Sequence, residues 1–162
     1  MLSQKLRVVF DINIWLDAFL GEPSDYPYLP IFPPGSENDA ANCVSMAFDG
    51  ERFSVFASPH ILTNVHRVLK AAGLSDQLCH RYIEDLSDIV FMSGGSIVDP
   101  SREAASQRDF EDNLILDLAK ATASDVVVTR DAEFTDSSGW KGVAIISPTV
   151  FVKLALNLPN SD

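Results

Sequence analysis

Two short runs, Val8-Val9-Phe10 and Val126-Val127-Val128, are apolar at every position, and each leads within three residues to an aspartate, Asp11 or Asp131. A strand with one wet face alternates polar and apolar residues, whereas an unbroken apolar run suits a strand covered on both faces. Around these runs the apolar spacing changes to that of helices. Residues 12–20 carry Ile12, Trp15, Leu16, Phe19 and Leu20, and Gly21 stops the turn. Residues 39–48 have the same character, and residues 53–57 form another β-rich run. Ser58-Pro59 then supplies an N-cap and a first-turn proline for a helix reaching Gly73. The pattern further predicts a helix over 76–86, a weaker strand over either 89–92 or 97–98, and a helix over 108–121. A last strand follows over 143–146, then a closing helix over 149–158. Strands alternate with helices, so the predicted class is α/β, a mostly parallel sheet between two helical layers.

The 162 residues suit a single domain spanning 1–162. Residues 22–38 hold five prolines and a Pro33-Pro34-Gly35 turn, which makes them a loop. Its Tyr26, Tyr28 and Phe32 are expected to pack it onto the domain. No apolar run approaches the length that spans a bilayer, and the start lacks the pattern of a secretory signal. The expectation is a cytoplasmic protein with no membrane partner. Cys43 and Cys79 lack metal-motif spacing and read as inert buried thiols.

Twelve Lys and Arg stand against 23 Asp and Glu, a net charge of −11. Proteins that grip nucleic acid on their own usually carry a basic footprint, because phosphate contacts supply much of the affinity. The balance counts against a free-standing binder of that kind. Bound cations or a local basic rim can reverse the potential at a site, and the charge also suits a basic protein partner.

Ligands of open parallel sheets bind beyond the carboxyl ends of the strands, where Asp11 and Asp131 both fall. If their strands are neighbours, the two carboxylates repel unless a cation lies between them. Oxygen donors without sulfur suit Mg²⁺ or Mn²⁺. The bland alternative is that Asp11 caps the helix starting at Ile12 and Asp131 begins an Asx-turn. A third acidic group, Asp109-Phe110-Glu111-Asp112, opens the helix over 108–121 and also suits the positive end of a helix dipole.

Four segments in order then carry a resemblance. They are Val8-Val9-Phe10-Asp11-Ile12-Asn13, Ser58-Pro59-His60-Ile61-Leu62-Thr63-Asn64, Asp112-Asn113-Leu114-Ile115-Leu116-Asp117-Leu118-Ala119, and Val126-Val127-Val128-Thr129-Arg130-Asp131. Together they resemble the PIN-domain nuclease family, and within it the VapC-like toxins of bacterial toxin–antitoxin pairs. The resemblance implies a five-stranded parallel sheet in a three-layer α/β/α fold and a Mg²⁺- or Mn²⁺-dependent ribonuclease. It makes Asp11, Asp112 and Asp131 the catalytic, metal-binding acids. Asn13 and Thr129 match residues that orient them, and Asp109, Glu111 and Arg130 are accessory. Arg130 and Arg108 sit where a phosphate could be met, against the plainer account of arginines paired with surface acids. Asn64 stands where the family usually has glutamate; its oxygen can reach a metal but brings no charge. His60, one helical turn earlier on the same edge as Asn64, could contribute in its place, against the plainer account of a structural or surface residue. The implied partners are an RNA substrate, a basic antitoxin-like protein and a second copy in a homodimer.

Two rivals differ in chemistry. A haloacid-dehalogenase-type phosphotransferase needs a second acid two residues after the first, where this chain has Asn13. A PIN-like module that has weakened as an enzyme and binds RNA or protein is favoured by Asn64 and by the acidic balance.

Overall fold

The computed structural model describes residues 5–21, 35–48, 50–102, 110–135 and 142–159. Most of the proline-rich stretch, with Tyr26, Tyr28 and Phe32, lies outside the described residues, as do Arg108 and Asp109. The elements run β1 (Leu6–Phe10), α1 (Ile12–Leu20), α2 (Asp39–Ala47), β2 (Phe53–Phe56), α3 (Pro59–Ala71) and α4 (Asp76–Met92). They continue with α5 (Phe110–Ala121), β3 (Val126–Val128), α6 (Ala132–Thr135), β4 (Ala144–Ile146) and α7 (Pro148–Leu156). Local chemistry sets several starts. Asn38, Ser58, Ser75 and Ser147 each accept a hydrogen bond from the amide three residues on, opening α2, α3, α4 and α7. Such a cap contributes about 1 kcal/mol.

The four strands are parallel in the order β2-β1-β3-β4. Val9 lies opposite Phe56, Phe10 opposite Val128, and Val128 opposite Ile146. Val8, Val9 and Phe10 are fully buried, as an unbroken apolar strand requires. Phe10 meets Trp15 of α1 at 5.5 Å and Phe151 of α7 at 5.9 Å, edge to face. Phe53 on β2 meets Phe151 at 5.0 Å, so α1 and α7 close one face over these rings. Val9 alternates to the other face. α5 packs against β1 and β3, with Ile115, Leu116, Leu118 and Ala119 buried.

Two expectations are corrected. Among the described residues the sheet has four strands, not five. Residues 89–92 continue α4, because Tyr82, Leu86, Ile89 and Val90 keep a helical spacing and are all buried. The alternative at 97–98 survives as one parallel bridge, Ile97 to Ala57. The outer edge of β2 is instead occupied piecemeal. Ser93 Oγ accepts from Val55 N (2.8 Å), Ser96 O from Ala57 N (3.2 Å), and Ala57 O from Val98 N (2.9 Å). Gly95 permits this approach, since a Cβ there would sit 1.7 Å from Val55 O. Pro100, which has no amide hydrogen, follows too soon for a longer ladder. Cys43 and Cys79 are buried free thiols. No described helix is long and apolar enough to cross a membrane.

Candidate active site

The chain leaves β1 to one side for β2 and returns on the other for β3, so the strand order reverses between β1 and β3. That reversal opens a crevice at their carboxyl ends, the usual ligand position in such sheets. Asp11 N donates to Val128 O (2.9 Å), which fixes Asp11 at the mouth of the crevice. Thr129 N donates to Ile146 O (3.0 Å) and fixes Thr129 beside it.

Thr129 joins the two strand ends. Its hydroxyl donates to Asp11 Oδ2 (2.7 Å) and accepts from Asn13 Nδ2 (3.2 Å) and Asp131 N (3.1 Å). One proton and two lone pairs are all that a hydroxyl has, and all are used. Asn13 also donates to Asp11 Oδ2 (3.3 Å) and accepts from Arg130 N (3.1 Å), tying the first turn of α1 to the segment after β3. Asp11 caps α1 as well, Oδ1 accepting from Ile12 N (2.7 Å). Asp131 Oδ1 accepts from Glu133 N (2.9 Å), the turn expected of a strand-end aspartate. The capping account and the site account therefore describe the same residues.

Asp11 is 8% exposed. Burial pushes its carboxyl pKa up; the bonds from Thr129 and Ile12 oppose that shift, and the charges of Asp131 and Glu111 add to it. The Arg130 guanidinium does not relieve this crowding, because it pairs with Asp17 (2.6 Å) on α1. Glu111 and Asp112 lie in the first turn of α5, Glu111 exposed and Asp112 partly buried. Glu111 acts electrostatically on Asp11 and on His60, which brings that end of α5 to the same edge of the sheet.

Asn64 is engaged elsewhere. Its Oδ1 accepts from Arg67 Nε (3.3 Å) and Nη2 (3.0 Å), and its Nδ2 donates to His60 O and His60 Nδ1, both at 2.9 Å. The one Asn64 atom able to coordinate a metal thus already faces a guanidinium. Arg67 is not among the expected site residues, and His60 is expected there only as a substitute for Asn64. Their only trace in the sequence is spacing, His60 to Asn64 to Arg67 along one face of α3. Asp17, the partner of Arg130, left no signal.

The donors fit a hard divalent cation in chemistry and charge: carboxylate oxygens, one of them buried beside two other acids. Three of the about four acceptor positions on Asp11 are taken by Ile12, Asn13 and Thr129, which leaves one on Oδ1. Among the described residues no three His, Cys, Asp or Glu side chains close into a ligand group. Mg²⁺ usually needs only one or two carboxylates and keeps several waters, so the two facts are compatible.

Residues 7–133, more than half of the chain, match the family model described as PIN domain. The match contains Asp11, Asn13, Asn64, Asp112, Thr129 and Asp131. No curated protein is similar enough to stand beside it.

Proposed function

The chain belongs to the PIN-domain family, whose members are typically nucleases, and from that premise we propose that it is a Mg²⁺- or Mn²⁺-dependent endoribonuclease. The observation that carries this reading is the buried Asp11 carboxylate, held by Thr129 and Asn13 beside Asp131 and Glu111 where β1 and β3 part. Asp11, Asp131 and Asp112 would hold the metal between them, one or two directly and the rest through its retained waters, and the metal would supply a more acidic water and offset phosphate charge. The protein's own part is orientation. Thr129 and Asn13 fix the Asp11 carboxylate, and Asp131 is fixed by its bonds to Thr129 and Glu133. Arg130, exposed beside the crevice, can exchange Asp17 for a phosphate of the RNA strand, since an exposed pair of this kind contributes little.

Within that activity, we assign the protein to the toxin of a toxin–antitoxin pair, with a basic antitoxin as partner and a homodimer as its assembly. The net charge of −11 supports a basic partner. RNA cleavage with added Mn²⁺ by the wild type and by Asp11→Asn tests the enzyme reading. Cleavage that survives Asp11→Asn rules out the site. A second reading, a PIN-type module that binds RNA or protein without efficient cleavage, is favoured by the capture of Asn64 Oδ1 by Arg67. It is chosen if RNA binds with no Mn²⁺-dependent turnover.

A further inference from the structure

His60 Nε2 is a buried nitrogen with no hydrogen-bond partner among the described residues, in a ring whose other nitrogen is fully accounted for. The state of that ring follows from its neighbours. Arg67 Nε and Nη2 can only donate, so the Asn64 atom facing them is the oxygen. The Asn64 amide nitrogen must then face His60, where it also donates to the backbone oxygen. His60 Nδ1 is therefore an acceptor without a proton, and a neutral ring carries its proton on Nε2. Burial lowers the His60 pKa, in keeping with a neutral ring. A buried N–H donor with nothing to accept from it costs stability until a partner arrives.

The fold limits what that partner can be. Val9 pairs with Phe56, so continuing the register brings Ser58, the N-cap of α3, level with Asp11. His60 follows two residues later, in the first turn of α3, at the same edge of the sheet. The side chain acting electrostatically on both His60 and Asp11 is Glu111, an exposed residue in the first turn of α5.

We propose that His60 is a positioning residue that holds the Glu111 carboxylate at the edge of the Asp11 site, donating through Nε2–H, with Asn64 and Arg67 fixing its ring. The relay runs from Arg67 to Asn64 to His60 to Glu111 and lets α5 supply a carboxylate that α3 does not. It rests on the reading of the Asp11 edge as a cation site, and gives Asn64 a role other than that of a ligand.

The test is a double-mutant cycle read by Mn²⁺ titration calorimetry on the wild type, His60→Ala, Glu111→Gln and the double variant. The expected result is weakening by about tenfold in each single variant and no further loss in the double. A metal-free readout accompanies it. Long-range ¹H–¹⁵N spectra of the histidine rings should show His60 protonated on Nε2, with the Nε2–H resonance shifted in Glu111→Gln and the tautomer scrambled in Asn64→Leu. Additive losses, or wild-type affinity in His60→Ala, overturn the proposal, as does a His60 ring protonated on Nδ1. The two readings fail separately. RNA cleavage by the wild type with no His60–Glu111 coupling removes this inference alone; coupling in a protein that cleaves no RNA removes the nuclease reading alone.

Discussion

Thr129 Oγ1 donates to Asp11 Oδ2 over 2.7 Å, joining two residues 118 positions apart in the chain. The same oxygen accepts from Asn13 and from the backbone of Asp131, so one hydroxyl sets the relative placement of the two strand-end acids. Its chemistry gives the first prediction. Thr129→Val keeps the shape and removes the hydroxyl, leaving buried polar partners unmet, at about 1–3 kcal/mol. Urea denaturation should show that loss, with Thr129→Ser recovering most of it. A Val variant as stable as the wild type would show that the bond does not hold the site together.

The raised pKa of Asp11 sets a pH dependence. The folded protein binds the Asp11 proton more tightly than the unfolded chain, whose ordinary value is 3.8. Stability contributed by this group is therefore present at low pH and is lost as pH rises from that value through the folded pKa. Melts in EDTA should show Asp11→Asn gaining on the wild type as pH is raised from about 4 to 7. A gap that stays flat, or closes, contradicts the burial argument.

Metal binding tests the assignment of the acids. Alanine at Asp11, Asp112 or Asp131 should weaken Mn²⁺ binding by at least about tenfold, or 1.4 kcal/mol. Unchanged titrations in all three variants would reduce Asp11 and Asp131 to the caps they also are.

Asn64→Glu separates a ligand from a relay. The new carboxylate meets Arg67 in an exposed pair worth at most about 1 kcal/mol, and it loses the amide that donates to His60 Nδ1. Mn²⁺ affinity should therefore not improve. A tenfold gain would put residue 64 in contact with the metal.

The net charge of −11 predicts that any protein partner presents a basic segment. Its association rate should fall steeply as salt is raised, because exposed charges are screened over about 8 Å at physiological ionic strength. Salt-insensitive association would sink this prediction.

The sequence by itself determined what depends on neighbours along the chain. Val8-Val9-Phe10 and Val126-Val127-Val128 had to be strands covered on both faces, and Asp11 and Asp131 had to follow them. Ser58-Pro59 had to start a helix, and α3 does start there. Short-range chemistry of this kind is complete within a few residues. It failed at 89–92, where β-branched Ile89 and Val90 look like a strand but lie on the buried face of a long helix. The expected fifth strand shrank to the Ile97–Ala57 bridge. Only the tertiary structure could make β1 and β3 neighbours, because parallel strands pair through a crossover whose path no local signal encodes. From that pairing come the Thr129–Asp11 bond, the field of Glu111 on both Asp11 and His60, and the pairing of Arg130 with Asp17. The sequence named the acids. The long-range packing decided how they are held, since the orientation of a side chain depends on groups that the chain brings in from more than a hundred residues away.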